Sequence, residues 1–296
     1  MKKIVIIGYT GFIGKNLVNY LGDKYDIVAV SRSGGCSEEK NIKYVKSDYS
    51  RESLKKILFD VDGVVNLASQ KAAKDESCGV QIYSSSLKTL ENIILASMDC
   101  NIKNIVTISS RCVYGNYTKE SFSENEEINP INKYGLMKAL GEEICEYYNL
   151  KRDMKIKNIR LSQVIGYPMN DKYMFSTFLE KTNENETIEI YGQGTGVRDY
   201  IYIGDACRAV ELALIQKDKS GIYNIGTGKG ISNLEIAKKM IEVFKSTSKI
   251  SVISDSPQDK SRIILNIDKA KKELGFLPEY DMDKVLAEVR EKRYKE

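Results

Sequence analysis

An α/β fold built on a doubly wound parallel sheet is predicted by three observations. Short, continuous apolar runs recur along the first half of the chain. Stretches with helical spacing separate them, and a glycine-rich turn joins the first run to the first helix. Continuous apolar runs are strands covered on both faces, and parallel neighbours need crossovers, which the intervening helices supply.

Taken in order, Ile4–Ile7, Ile27–Val30, Val64–Leu67 and Ile105–Ile108 are the β-rich runs. Phe12–Leu21, Ser50–Leu58 and Ile82–Met98 show helical spacing between them. Lys133–Asn149 reads as a further helix and Ile156–Leu161 as a further strand. The texture changes after Gly166, where "GYPMNDKY" is rich in turn residues and "IEIYGQGTGVRDYIYI" reads as two strands around a glycine-rich bend. Gly204–Gln216 and Ser232–Phe244 read as helices, with a strand at Ile222–Ile225, and a polar patch, "SDSPQDKSR", precedes two closing helical segments. The expected architecture is a Rossmann-type, dinucleotide-binding domain over residues 1–165. Residues 166–296 are expected to form mostly a smaller C-terminal substrate-binding lobe, interleaved with that domain.

Composition narrows the function. A chain of 296 residues, 42% hydrophobic and 29% charged, fits a globular α/β protein. The formal charge of +4, with both signs mixed along the chain, is no nucleic-acid footprint. There is no run of 18 apolar residues, so no membrane span is expected. "MKKIVIIGYTG" superficially resembles a signal peptide, but its apolar run ends in glycine after Ile7 and reads as a buried first strand. Six cysteines at 36, 78, 100, 112, 145 and 207 contain no C-x-x-C, so neither a zinc site nor a disulfide framework is indicated. Free thiols fit a reducing, cytoplasmic setting. The chain has no histidine, which excludes Ser-His-Asp triads and histidine metal sites. No metal is expected.

The first strand runs into Gly8-Tyr9-Thr10-Gly11-Phe12-Ile13-Gly14. Glycines there allow a tight turn and let a pyrophosphate rest on a helix N-terminus, so Gly8, Thr10, Gly11, Phe12, Ile13 and Gly14 are candidate cofactor contacts. The spacing is G-x-x-G-x-x-G rather than G-x-G-x-x-G. A ribose-binding acid is expected about 20 residues on. The second strand instead ends in "VAVSRSGG", with Ser31, Arg32 and Ser33 at its tip. A carboxylate would repel a 2′-phosphate, whereas a guanidinium and two hydroxyls would bind it. NADP(H) is therefore favoured, with NAD(H) possible. Arg32 stacked on an adenine or turned to solvent is the plain alternative.

Tyr-x-x-x-Lys occurs four times: Tyr20/Lys24, Tyr134/Lys138, Tyr147/Lys151 and Tyr280/Lys284. In a chain with 19 tyrosines the pattern alone singles out none of them. Only Tyr134/Lys138 opens a helix after a strand ending in "ISSRCVYG" and an Asn-Pro loop.

With these pieces in order, the chain resembles the extended short-chain dehydrogenase/reductase family, the NAD(P)-dependent nucleotide-sugar epimerases, dehydratases and reductases. The ordered pieces are "GYTGFIG", Asp48 after the third strand, "VVNLAS", "ISSRCVYG", "NPINKYGLMK", "IRLSQVIGYP", "GTGVRDYIYIGDA", "GIYNIGTGKGIS" and "DKAKKELGF". The resemblance implies a catalytic set of Ser110, Tyr134 and Lys138. Positions i and i+4 share a helix face, and a nearby ammonium together with a cationic nicotinamide would lower the phenol's pKa. It further implies cofactor contacts from Asp48, Tyr49, Leu67, Ala68, Ser69, Tyr134 and Lys138. Substrate contacts are implied for Gln163, Arg198 and Arg262, with a structural ion pair to Asp199 or Asp205 as the other reading of Arg198. The partner implied is a nucleotide-sugar substrate, and assembly as a homodimer through Ile82–Met98 and Lys133–Asn149.

Departures from the family pattern select the reaction. Dehydratase relatives carry Asp and Glu directly after the catalytic hydroxyl residue, and here those positions hold Arg111 and Cys112. Asn66 stands where relatives often have histidine, and Ser256-Pro257-Gln258-Asp259 where they have Arg-Pro-Gly-Asp. With no acid at the tip of the second strand, the reading is an NADPH-dependent reductase of a 4-keto nucleotide sugar. The alternatives are a 4-epimerase resembling UDP-glucose 4-epimerase, with tightly bound NAD, and a catalytically silent nucleotide-binding protein.

Overall fold

The computed structural model describes residues 2–35, 41–69, 81–115, 119, 121–169 and 173–294. Cys36 and Cys78 lie outside the described residues. The chain runs through β1 (Lys2–Ile7), α1 (Phe12–Leu21), β2 (Tyr25–Ser31), β3 (Ile42–Lys46), α2 (Arg51–Ile57), β4 (Gly63–Asn66), α3 (Gln81–Asp99) and β5 (Asn104–Ser110). A 3-10 turn at Arg111–Val113 follows, then α4 (Lys133–Arg152), β6 (Lys155–Leu161) and β7 (Gln163–Ile165). The remainder comprises α5 (Met174–Asn183), β8 (Ile188–Tyr191), β9 (Val197–Tyr202), α6 (Ile203–Ile215), β10 (Gly221–Ile225) and β11 (Gly230–Ser232). It closes with α7 (Asn233–Phe244), β12 (Ile250–Ile253), β13 (Arg262–Ile263), α8 (Asp268–Leu274) and α9 (Met282–Tyr294).

Among the described residues seven strands form one parallel sheet in the order β3-β2-β1-β4-β5-β6-β10. The order reverses between β1 and β4, and in open α/β sheets a ligand crevice lies beyond the strand ends at such a switch point. The apolar runs are central because both faces are covered: Ile4, Val5, Ile6 and Ile7 are all buried. One core layer gathers Ile4, Ile6, Leu17 and Val18 with α6 residues Ala206 and Val210. The other gathers Val5, Ile7, Leu54, Ile93, Ile94 and Tyr148 on the opposite face.

Beyond residue 166 the path is not a separate unit. β10 returns to the main sheet and pairs with β6 from Gly221↔Lys157 to Ile225↔Leu161. β9 pairs with β7, β11 and β13, and β8 pairs with β12. The motif spanning "VRDY" and "NIGTGKG" is explained by Asp199. This fully buried carboxylate accepts from the Thr227, Gly228 and Leu265 backbone N–H groups at 2.8, 3.2 and 3.3 Å. Among the described residues no helix is long and apolar enough to cross a membrane.

Candidate functional site

The glycine loop is built by close packing at two positions. Gly8 has φ +88°, and a Cβ there would sit 2.5 Å from the Ala68 backbone nitrogen. A Cβ on Gly14 would lie 2.5–2.6 Å from the Tyr9 backbone, so α1 can approach the loop only without one. Gly11 differs: a Cβ there meets only the Gly8 carbonyl, at 3.8 Å. Protein packing does not demand this glycine, and the open space above it is what a pyrophosphate would fill. Gly11 is also the N-cap of α1, without a side-chain cap and with no acid in the first turn, which leaves the helix N-terminus to an anion.

A cleft of about 1080 Å³ opens over this loop. It brings together Gly8, Thr10, Gly11 and Phe12 with Ser31, Arg32 and Ser33, with Asp48 and Tyr49, and with Leu67, Ala68 and Ser69. Ile13 and Gly14 do not line it: Ile13 packs against the core and Gly14 is buried. Ser31 is buried, its hydroxyl 3.2 Å from that of Ser33 and 3.3 Å from the Gly34 carbonyl, so it shapes the turn. Arg32 and Ser33 are exposed. Lys15 and Lys88, which sequence reasoning did not single out, add positive charge to the walls. Asp48 is held by Ser50, whose N–H and hydroxyl donate to it at 2.9 and 2.7 Å; the backbone bond is the larger cause of a carboxyl pKa below the usual range. Asn66 is a turn residue: its Oδ1 accepts from Ala68 N–H at 3.0 Å and its Nδ2 donates to Thr107 at 3.2 Å. That bond fixes the backbone at Leu67–Ser69. The donor set and the space fit a dinucleotide.

The second half of the site lies at the end of β5. Ser110 caps the 3-10 turn, accepting from Cys112 N–H at 3.2 Å. Asn132 caps α4 through Gly135 N–H at 2.8 Å, which places Tyr134 in the first turn. Gly135, which sequence reasoning passed over, sets the approach: a Cβ on it would lie 2.4 Å from the Cys112 carbonyl. With the two segments this close, Tyr134 and Ser110 are neighbours at the end of β5. Lys138 is buried one turn on, its Nζ 5.6 Å from the centre of the Tyr134 ring and donating to the Ile108 carbonyl at 2.7 Å. A small cavity of about 30 Å³ joins Lys138 and Glu142 to Leu67, Ala68 and Ser69 of the cofactor cleft.

The electrostatics of the protein alone add burial to the expected charges. Burial dominates at Tyr134 and holds its phenol above the ordinary value, and the nearby Ser110 only partly offsets this. Burial likewise pushes Lys138 down to about 8, opposed first by the Glu142 carboxylate. In the protein alone the phenol is therefore protonated, and Lys138 by itself does not make it a phenolate. Glu142 is in turn locked to Arg160 in a fully buried pair, with Nε and Nη2 donating at 2.9 and 2.7 Å.

The proposed substrate residues lie on β7, β9 and β13, strands of one smaller sheet. Gln163 accepts from Arg111 Nη2 at 3.3 Å. Arg198 pairs with neither Asp199 nor Asp205; its Nη2 donates to Asp259 at 2.7 Å and its Nη1 to the Ser261 carbonyl at 3.1 Å. Asp199 serves the glycine-rich segment, and Asp205 pairs with Arg208 at 3.1 Å. Arg262, on β13, is exposed and without an ion-pair partner among the described residues.

Comparison with known proteins agrees with this geometry. The model of the "NAD dependent epimerase/dehydratase family" matches residues 4–226. The chain is 28% identical to the Low-salt glycan biosynthesis protein Agl12 of Haloferax volcanii, over 95% of this chain and 94% of that protein. It is 32% identical to a putative UDP-glucose 4-epimerase of Methanocaldococcus jannaschii, over 94% of each. The crystal structure of UDP-N-acetylglucosamine 4-epimerase from Bacillus cereus superposes with a TM-score of 0.88 at 26% identity, covering 99% of this chain and 97% of that one. The chain belongs to the NAD-dependent epimerase/dehydratase family of extended short-chain dehydrogenases/reductases, as an NAD(P)-dependent enzyme acting on nucleotide sugars.

Proposed function

We propose that the protein is a UDP-sugar 4-epimerase, acting through Ser110, Tyr134 and Lys138. The observation that carries this reading is the close packing of the α4 first turn on the end of β5, which sets Tyr134 beside Ser110, with buried Lys138 5.6 Å from the Tyr134 ring and lining a cavity shared with the cofactor cleft. The epimerase names of the 32%-identical relative and of the Bacillus cereus structure support the reaction and the nucleotide. Arg111 and Cys112, where dehydratases carry acids, argue against elimination of water.

Bound in the cleft, a nicotinamide would supply the hydride chemistry at the sugar carbon. The chain's own residues handle the proton. Ser110 orients the sugar hydroxyl, and Tyr134 Oη takes its proton as the carbon is oxidised and returns it on reduction. Burial opposes the phenolate in the protein alone, and the positive charge of a bound oxidised nicotinamide, together with the Lys138 ammonium, would favour it. Tyr134 then becomes a base when cofactor is in place. Lys138 would hold the cofactor ribose. The exposed stripe Leu136, Leu140, Tyr147 and Leu150 on α4 supports assembly as a homodimer.

A second reading, NADPH-dependent reduction of a 4-keto nucleotide sugar, is supported by Arg32 and Ser33 at the tip of β2, where no acid stands. A protonated Tyr134 also suits donation to a ketone oxygen. One incubation separates the two. Purified protein with UDP-glucose or UDP-N-acetylglucosamine, and no added reductant, should form the 4-epimer with no net change in nicotinamide absorbance. Turnover only of a 4-keto substrate, with stoichiometric NADPH loss, would overturn the epimerase proposal.

A further inference from the structure

Arg111 is not used by the mechanism above, yet it is the residue immediately after Ser110. It is half-buried, and its guanidinium makes one hydrogen bond among the described residues, to neutral Gln163 at 3.3 Å. No carboxylate pairs with it among the described residues. Asp199, the acid that acts on it from a distance, is committed to Thr227, Gly228 and Leu265. Arg198 is the cation whose charge opposes it, and Arg198 already holds Asp259. A guanidinium partly withdrawn from water without a counter-charge is costly, and a ligand oxyanion lowers that cost. The planar fork suits a carboxylate or a phosphate and gains little from a neutral hydroxyl.

We propose that Arg111, oriented by Gln163, is a specificity-determining residue that binds an oxyanion of the substrate itself. Resting on the placement of the reacting sugar oxygen at Ser110, the proposal limits the oxyanion to two sources within one side chain's reach. One is a carboxylate carried by the sugar, which makes the substrate a nucleotide-activated uronic acid. The other is the diphosphate, which makes Arg111 a partner of Arg198 in anchoring the nucleotide.

Titration calorimetry of the cofactor-loaded protein with UDP, UDP-glucose and UDP-glucuronate tests this in wild type, Arg111→Gln and Arg111→Lys. Arg111→Gln should weaken binding of at least one ligand about ten-fold or more, the scale of a lost charge-assisted pair. Arg111→Lys keeps the charge without the fork, should fall between, and serves alone if the glutamine variant does not fold. Loss confined to UDP-glucuronate identifies the sugar carboxylate; equal loss for all three identifies the diphosphate. Retention of all three within two-fold in a folded variant overturns the role of Arg111 and leaves the nucleotide-sugar reading standing. Failure of wild type to bind any of the three overturns both.

Discussion

Replacing Glu142 with leucine should be the most damaging single change outside the reacting groups, for a reason that can be worked from its contacts. Both carboxylate oxygens are fully buried and receive Arg160 Nε and Nη2, and Ser109 Oγ also donates to Oε1. Glu142→Leu leaves the Arg160 cation buried and uncompensated, which costs about 3–5 kcal/mol of folding stability. The double variant Glu142→Leu/Arg160→Met removes both charges and should regain most of that loss. Tyr114 would still keep Asn224 at 2.8 Å and Ser123 at 3.0 Å. A catalytic signature accompanies the structural one. Glu142 is the first charge opposing the burial that sets Lys138 at about 8. Without it the lysine pKa falls further. Activity that needs the ammonium is lost as pH rises through that pKa, so the alkaline limb of the rate profile should move to lower pH in both variants. The sign for stability runs the other way. Between about 8 and the ordinary lysine value the unfolded chain holds a proton that folded Lys138 lacks, so this group adds stability as pH rises there. Urea denaturation and pH–rate profiles of the three proteins check the argument. A single-variant loss below about 1 kcal/mol, or a double variant no more stable than the single, would refute the assignment of the loss to the stranded cation.

Tyr134→Phe should lower turnover by about 10²–10⁴-fold while cofactor binding persists, read by product assay beside cofactor fluorescence. Arg32→Ala should weaken NADPH at least ten-fold and leave NADH nearly unchanged; equal affinities in mutant and wild type would remove the basis for a 2′-phosphate contact. Gly14→Ala forces a methyl to within 2.6 Å of the Tyr9 backbone, so α1 must shift and cofactor affinity should collapse, measurable by the same fluorescence titration.

Much of the fold was legible because parallel strands buried on both faces leave continuous apolar runs. β1, β2, β4, β5 and β6 were each marked by one, and α1 spans the predicted residues. Tyr134/Lys138 was separable from its three counterparts by its place after the "SS…VYG" strand end. The structure gives Lys24 a different task, 4.0 Å above the Tyr20 ring and paired with Glu211 at 2.9 Å. What stayed hidden depends on distant partners. Glu142 and Arg160 look like ordinary charged residues of a helix and a strand, and only the packing of α4 on β6 makes them one ion pair. Arg198 was weighed against its sequence neighbours Asp199 and Asp205, whereas its carboxylate comes from 61 positions away at Asp259. The burial that holds the Tyr134 phenol above its ordinary value in the protein alone is hidden too, because charges can be read from a sequence more easily than burial can.

The return of β10 to the edge of β6 bears on how the enzyme holds its two ligands. The strand pairs along its whole length, Ser162 N–H bonds the Ile225 carbonyl at 2.9 Å, and Phe122 bridges across to Leu265. A chain stitched through its own sheet in this way cannot be cut near residue 165 into two self-sufficient pieces, because the first would expose an edge built around buried Lys157 and Arg160. On the function proposed above, the pairing of β10 with β6 would tie the segment after residue 166 to the sheet that carries the glycine loop, through main-chain bonds laid down at folding.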